Sequence, residues 1–266
     1  MQHETAPEAI GGWLKDADAG MIRQHRRLSD IGADALDPAH LAYFEDYRSR
    51  YFNDRLLPGQ GVEEILATLS NHGGRPARWV DLGAGVTTLF WAIGVDRPAQ
   101  VVACDLVPEA LSVLSTFKQG DEVPRCYGEA MALLGRSLAD FNSLRRSDWD
   151  FRVLDCLSPW TLTGFEEGFD LVTAIGCLGL AHDADHYAQA FLAGACNLRP
   201  GGRFIGADWV RSAAFVDIEG HDNGYVSASL TESCGERASL QLLSIENISI
   251  KGDPYYDSVL VWAFGV

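Results

Sequence analysis

Arg78-Trp-Val-Asp-Leu-Gly-Ala-Gly-Val-Thr-Thr88 is the stretch from which the rest of the chain reads. The apolar pair Trp79 and Val80 closes on an acid, Asp81, and a glycine turn follows at Gly83-Ala84-Gly85. Behind the turn comes the apolar run Leu89-Phe-Trp-Ala-Ile93. That order predicts a strand, a tight turn and a helix. Glycine reaches positive φ without the clash of a Cβ and leaves the backbone bare where a ligand approaches. A helix starting at such a turn aims its free N–H groups at whatever lies above it. Open α/β sheets hold nucleoside cofactors in this way.

Downstream, Ala99-Gln-Val-Val-Ala-Cys-Asp105 is a second buried strand that again ends in an acid. Asp105 lies twenty residues after Gly85, where an acid at the second strand's tip accepts the hydroxyl hydrogens of an adenosine ribose. It is also placed to cap the helix expected from Pro108 to Phe117. Phe151–Cys156, Phe169–Leu178 and Arg203–Asp208 read as three more strands, the middle one long and largely apolar, as expected of a central parallel strand. A helix is expected over Asp183–Leu198. Leu240–Ile250 and Ser258–Phe264 are β-rich and joined by a short turn at Gly252-Asp-Pro254, which predicts an antiparallel pair. Residues 118–150 exceed a usual strand-to-helix connection and predict an inserted helical element. Ile218-Glu-Gly-His-Asp-Asn-Gly224 reads as a polar loop.

Upstream, residues 1–9 are polar and read as disordered, and Ile10 to Leu36 shows a mixed helical pattern. Asp37-Pro38 is a helix start, with Asp as N-cap and Pro in the first turn. In that helix Tyr43, Tyr47 and Tyr51 recur every fourth residue and share one face. The face either packs on the sheet or forms an aromatic wall for a ligand. Leu56–Gly61 is a turn, and Val62–Leu69 is a short amphipathic helix. The expected division is a helical lid over 1–75 and a nucleotide-binding domain over 76–266, with the insertion at 118–150.

The length of 266 residues, 47% of them hydrophobic, suffices for one α/β domain with a full core. A formal net charge of −16 repels phosphates, so nucleic acid and anionic membranes are not expected partners; a small molecule is. The six cysteines form no CxxC pair, and no metal site is expected. Cys104, Cys156 and Cys177 sit in apolar runs and read as small core residues. No secretory leader or membrane-spanning run is read, so the expectation is a reduced, cytoplasmic protein.

Val80-Asp-Leu-Gly-Ala-Gly85, then Asp105, Asp155-Cys156 and Leu198-Arg-Pro-Gly-Gly-Arg-Phe204 together resemble the motif series of class I S-adenosylmethionine-dependent methyltransferases. The resemblance covers residues from about 79 to 266. It implies a Rossmann-like three-layer sandwich: a seven-stranded, mostly parallel sheet with an antiparallel last strand. Leu41-Ala-Tyr-Phe-Glu-Asp-Tyr47, the long insertion and Cys177-Leu178 are similar, more narrowly, to the nicotinamide, phenylethanolamine and indolethylamine N-methyltransferases. Two departures stand out. Arg48 occupies the place of the second tyrosine of that family's Tyr-Tyr pair, and the loop after Asp208 is longer.

The resemblance implies S-adenosylmethionine as cofactor and assigns roles to residues. Tyr43 and Tyr47 would cover the methionine part and sulfonium. Asp81, Gly83, Ala84, Gly85, Thr87 and Thr88 would form the turn around the amino-acid end. Asp105 and Leu106 would bind ribose and the adenine edge, and Asp155 and Cys156 would bracket the adenine ring. Ala174 and Ile175 would touch the reacting region. Asp208 would hold or deprotonate an acceptor amine, with Tyr43, Tyr47 and Trp209 offering aromatic faces to a cation. N-methylation of an amine is one implied activity. Bacterial relatives imply a second: closing the cofactor's aminobutyrate arm to azetidine-2-carboxylate, with release of methylthioadenosine. A dinucleotide dehydrogenase is a third reading, but Thr88 stands where that fingerprint needs its third glycine. A cofactor-binding subunit without catalysis is a fourth.

Overall fold

The computed structural model describes residues 26–56 and 58–266. The expectations for residues 1–9 and for the start of the helical pattern at Ile10 lie outside those residues. From Arg26 the chain forms two 3-10 turns, Leu28–Asp30 and Ala33–Ala35, where a helical continuation to Leu36 was expected. Ile31 and Gly32 are extended between them and break the helix. Helix α1 then spans Pro38–Tyr51, with the Asp37 carboxylate accepting the Ala39 N–H at 2.7 Å as N-cap. Helix α2 spans Val62–His72.

The sheet follows the expected order of segments: β1 Arg78–Leu82, β2 Gln100–Asp105, β3 Asp148–Val153, β4 Phe169–Ile175, β5 Leu198–Arg211, β6 Gln241–Ser249 and β7 Tyr256–Gly265. Between them lie α3 Thr88–Trp91, α4 Pro108–Gln119, α5 Arg125–Leu133, α6 Leu138–Arg146, α7 Ala184–Ala195, α8 Ala213–Glu219 and α9 Ala228–Arg237. The strand order is β3-β2-β1-β4-β5-β7-β6. β1 to β5 run parallel, and β7 runs antiparallel to both β5 and β6. The order reverses between β2 and β4, on either side of β1. Ligands bind at the carboxyl ends of strands beside such a reversal.

Two apolar layers cover the sheet. One face carries α2 to α6 and holds Leu66, Phe90, Leu114, Tyr127 and Phe141; the other carries α7 and α9 and holds Tyr187, Phe191 and Trp262. Burying a large side chain of this kind stabilises by about 1.5–3 kcal/mol. Trp79 is fully buried in the central strand, and its indole N–H donates to Thr173 Oγ1 at 2.8 Å across the β1–β4 seam. A buried indole keeps its polar handle satisfied this way.

The inserted element is the pair α5 and α6. It packs into the first layer, where the Tyr127 ring meets those of Phe90, Phe117 and Phe141 at 5.1–5.5 Å. The run Leu89–Ile93 gives only the short helix α3 and a 3-10 turn, Ala92–Gly94. Gly94 packs directly on Leu69 of α2, where a Cβ would come within 2.7 Å of the leucine Cβ. The strand expected over Arg203–Asp208 spans Leu198–Arg211, so Leu198, expected to end the preceding helix, belongs to the strand and that helix stops at Ala195; α8 and α9 lie where no helix was expected. Among the described residues no helix is long and apolar enough to cross a membrane.

Candidate functional site

The glycine turn sits at the tip of β1. Gly83 has φ +67° and Gly85 has φ +49°, both in the left-handed region. A Cβ on Gly83 would meet the Cys177 Cβ at 2.7 Å, whereas one on Gly85 would meet nothing within 4 Å. The turn is pinned from below. Ala84 donates its N–H to the Cys104 carbonyl at 2.8 Å, and Thr87 donates to Ala84 at 2.9 Å. Asp81 is buried under the turn, where it accepts the Thr88 hydroxyl at 2.5 Å and also the Thr173 hydroxyl. Burial pushes its carboxyl up to about 6, against the two hydrogen bonds. Asp81 and Thr88 therefore brace the turn, while Gly83, Gly85 and Thr87 are half-buried at its surface.

At the tip of β2, Asp105 joins two elements. Its Oδ2 accepts the Gly85 N–H at 2.8 Å and its Oδ1 accepts the Val107 N–H at 2.9 Å. Sequence offered ribose contact and helix capping as alternatives; the Oδ1 bond is to Val107, itself the N-cap residue, so Asp105 shapes the turn before α4 and α4 has no side-chain cap. An ionised carboxylate has about four acceptor positions; these bonds, with the Leu106 N–H also directed at it, leave Asp105 partly engaged, and burial raises its pKa. Leu106 beside it is half-buried. Beyond β3, Asp155 accepts the Leu157 N–H at 3.0 Å and the Ser158 hydroxyl at 2.5 Å, holding its own loop in shape. Cys156 is buried, with its Sγ 3.8 Å from the Cys104 carbonyl.

Ala174 and Ile175 end β4 as buried residues, followed by Gly176 at φ +72°. The Trp209 indole lies over this corner, 3.6 Å from where a Gly176 Cβ would stand. Its N–H donates to the Gln60 carbonyl at 3.0 Å. The tyrosines of α1 do share a face, with ring centroids 6.4 Å apart for Tyr43–Tyr47 and 4.8 Å for Tyr47–Tyr51. Burial raises all three phenol pKa values, so the hydroxyls stay neutral. α1 is tied to α4 at both ends. Glu109 accepts the Asp37 N–H at 2.8 Å, and the Arg48 guanidinium lies 4.4 Å over the Phe117 ring.

Asp208 faces the α7 layer with no exposed surface. One carboxyl oxygen accepts the Gly179 N–H at 2.7 Å; Oδ2 has no hydrogen bond. Burial pushes the carboxyl up to about 7. The 3-10 turn Leu178–Leu180 and Asn223 cover it. Asn223 in turn donates to the Trp209 carbonyl at 2.9 Å and accepts the Arg211 N–H at 2.9 Å. Tyr225 donates its hydroxyl to the Ala181 carbonyl.

The fold therefore brings Gly85, Thr87, Asp105 and Leu106 together around the β1 turn and lays Trp209 on the end of β4, while the tyrosine stripe lies toward Glu219, Tyr255 and Tyr256. Arg211, Glu219, His221, Asn223 and Tyr225 were not singled out from sequence. The one available signal was Arg211 itself, a charged residue directly after the apolar pair Trp209-Val210. Among the described residues no group of three or more His, Cys, Asp or Glu is placed to hold a metal ion. A shallow recess lined in part by Asp96, Met131, Arg136 and Phe141 holds only about 10 Å³ and includes none of the residues at the strand tips.

No protein-family model matches the chain, and no curated protein sequence matches it significantly. Solved structures do match. The N-methyltransferase NodS from Bradyrhizobium japonicum WM9, in complex with S-adenosylhomocysteine, is 17% identical with a TM-score of 0.53; the match covers 85% of this chain and 97% of that one. Magnesium protoporphyrin IX methyltransferase from Synechocystis PCC 6803, also with S-adenosylhomocysteine bound, is 11% identical with a TM-score of 0.52, covering 84% and 94%. At these identities the likeness shows a shared fold: this chain has the Rossmann-like methyltransferase architecture, with its seven-stranded sheet and reversed β7.

Proposed function

We propose that the chain is an S-adenosylmethionine-dependent methyltransferase acting on the nitrogen of a small amine-containing molecule. The observation that carries the cofactor assignment is Asp105. Its carboxylate bridges the glycine turn and the start of α4, and a ribose diol would bond the acceptor capacity those backbone N–H groups leave. The bare backbone at Gly85 leaves room for the methionine end. Leu106, Asp155 and Cys156 line the adenine side, and Thr87 the amino-acid side. The helical lid over 1–75 is represented among the described residues by α1, whose tyrosines, with Trp209, Ala174 and Ile175, bound the reacting region.

When bound, S-adenosylmethionine supplies an activated methyl group on a sulfonium that departs as a thioether. The chain need not provide a nucleophile. Its residues align acceptor, carbon and sulfur, an effect that supplies up to about 7–11 kcal/mol when geometry is right. The neutral phenols of Tyr43 and Tyr47 offer ring faces to a cation, each contributing about 0.5–2 kcal/mol. They also keep water out. We assign Asp208 to positioning: it fixes Gly179 and, with Asn223, the loop that closes the acceptor side. The amine nature of the acceptor is supported by the tyrosine stripe together with Glu219, whose carboxylate lies close enough to Tyr43 to raise its pKa.

The test is product analysis. Purified protein is incubated with S-adenosylmethionine, with and without a panel of primary amines and amino acids. S-adenosylhomocysteine formed only when an amine is present is the expected result. Methylthioadenosine and azetidine-2-carboxylate formed from the cofactor alone would replace methyl transfer by cyclisation. Failure of S-adenosylhomocysteine to bind at all would remove the cofactor assignment.

A further inference from the structure

Among the described residues, the buried ion pair Arg211–Glu219 is unlike the other ion pairs. Its side chains are 6% and 7% exposed, yet the guanidinium and carboxylate approach only to 3.6 Å. That is too long for a hydrogen bond. Arg152 and Asp150, also sheltered, close to 2.7 Å. Around Arg211 and Glu219 the mismatch leaves atoms unsatisfied: Arg211 Nε and Glu219 Oε2 are buried without a hydrogen-bond partner. A buried polar group left unmade costs about 1–3 kcal/mol, and more when charged. Buried pairs of this kind are weak sources of stability.

The location is at the ligand edge. Arg211 is the last residue of β5, and Glu219 the last of α8. The guanidinium lies 5.7 Å from the Phe215 ring centroid. The pair is electrostatically coupled to Tyr256, and Glu219 also to Tyr43 of α1. It therefore sits between the tyrosine helix and the segment after β5, beside the corner capped by Trp209.

What satisfies both groups must offer an acceptor to the guanidinium and a donor to the carboxylate. An anion alone would be repelled by Glu219 and a cation alone by Arg211. An α-ammonium carboxylate offers both and brings no net charge into a dry site. Arginine's planar fork suits a carboxylate in particular.

We propose that Arg211 and Glu219 bind the zwitterionic head of an α-amino acid, the carboxylate on Arg211 and the ammonium on Glu219. This deepens the methyltransferase reading and rests on it. With Gly85 and Thr87 holding the cofactor's own amino-acid end, the head belongs to a separate amino acid; the cofactor's aminobutyrate arm, which carries the same head, is the competing outcome of the test.

Calorimetry and thermal shift on the full chain separate these. S-adenosylhomocysteine carries the arm and methylthioadenosine lacks it. Both are titrated into the wild type, Arg211→Gln, and the double variant Arg211→Met/Glu219→Leu, which keeps the volume apolar if the single change unfolds the site. Each of the twenty L-amino acids and its carboxylate-free amine is then added to the S-adenosylhomocysteine-loaded proteins. A tenfold or greater loss of S-adenosylhomocysteine affinity with methylthioadenosine unchanged assigns the head to the cofactor's arm and overturns the separate amino acid. The expected result is unchanged S-adenosylhomocysteine affinity, with an amino-acid thermal shift present in the wild type and lost in the variants, which assigns the head to a separate substrate. If the variants change neither, or if the free amines bind as well as the amino acids, the proposal is overturned. Wild type that binds neither nucleoside overturns the cofactor reading, and this proposal falls with it.

Discussion

The carboxylate of Asp105, at the tip of β2, accepts the backbone N–H of Gly85 on the neighbouring turn at 2.8 Å. One side chain thus sets the shape of the turn and presents the acceptors for a ribose. Asp105→Ala removes both functions. Charge-assisted hydrogen bonds contribute about 1.5–3 kcal/mol each, so S-adenosylhomocysteine affinity should fall on the order of 10- to 100-fold by calorimetry. Asp105→Asn keeps an acceptor for Gly85 and should lose less. Equal affinity in wild type and Asp105→Ala would refute the ribose assignment.

Gly83 and Cys177 form a second constraint on the same turn. Gly83 has φ +67°, and an added Cβ would stand 2.7 Å from the Cys177 Cβ and 2.8 Å from its sulfur. Gly83→Ala combines left-handed strain with overpacking, each about 1–3 kcal/mol. Cys177→Ala removes the sulfur but not the Cβ, so the double variant should recover only part of the loss. Gly85→Ala meets the strain alone, since nothing lies within 4 Å of its Cβ. Urea unfolding of the four proteins should rank Gly83→Ala as the least stable. Equal stability of Gly83→Ala and Gly85→Ala would show that the Cys177 contact does not matter.

Much of this was legible before any coordinates. Asp81, the glycines and the acid at the tip of β2 belong to one local pattern, because a turn and a strand end are set by neighbours in sequence; Asp155, expected to tip the third strand, lies two residues past β3 in the loop. The tyrosine stripe followed from helical spacing. The burial of Asp208 did not, because it depends on Gly179 and Asn223, which are distant in sequence and meet it only through the sheet. Arg211 and Glu219 escaped for the same reason: the long reach of β5 and the helix α8 appear only once β7 pairs with β5 up to Tyr256. Of the loop expected at 218–224, only residues 220–224 lie outside a helix: Ile218 and Glu219, the charged partner, form the last turn of α8. The inserted helices were expected, but their role was not: Tyr127 makes them part of the core.

The attachment of α1 should be separable from the stability of the sheet. Arg48 lies 4.4 Å over Phe117 and 3.9 Å from Glu122, tying the far end of the tyrosine helix to α4. Arg48→Ala loses a cation–π contact of about 0.5–2 kcal/mol. Hydrogen exchange should rise across residues 38–51 while β1 and β2 keep their protection. Cofactor affinity should fall modestly, through the lid. Uniformly faster exchange would mean that α1 is integral to the global fold instead.

Asp208 gives a signed prediction in pH. Its carboxyl is raised from 3.8 to about 7 by burial, so in the unfolded chain it releases its proton about three units earlier. Between those values the folded state holds more protons than the unfolded state, and stability must fall as pH rises through the window. Below about pH 4 both states are protonated, and above about pH 7 the penalty is constant. Asp81, raised to about 6, acts in the same sense over a narrower range. Asp208→Asn resembles the protonated acid and can still accept the Gly179 N–H. Its stability relative to wild type should therefore be near zero difference at pH 4 and grow in the variant's favour to pH 7. With one pKa unit worth about 1.4 kcal/mol, the gain is a few kcal/mol at most. Thermal unfolding of the two proteins at matched pH values reads it directly. A difference that stays flat from pH 4 to 8 would show that Asp208 does not titrate there. If Asn at this position leaves cofactor affinity intact but abolishes turnover, the carboxyl reaches the acceptor and the positioning role falls.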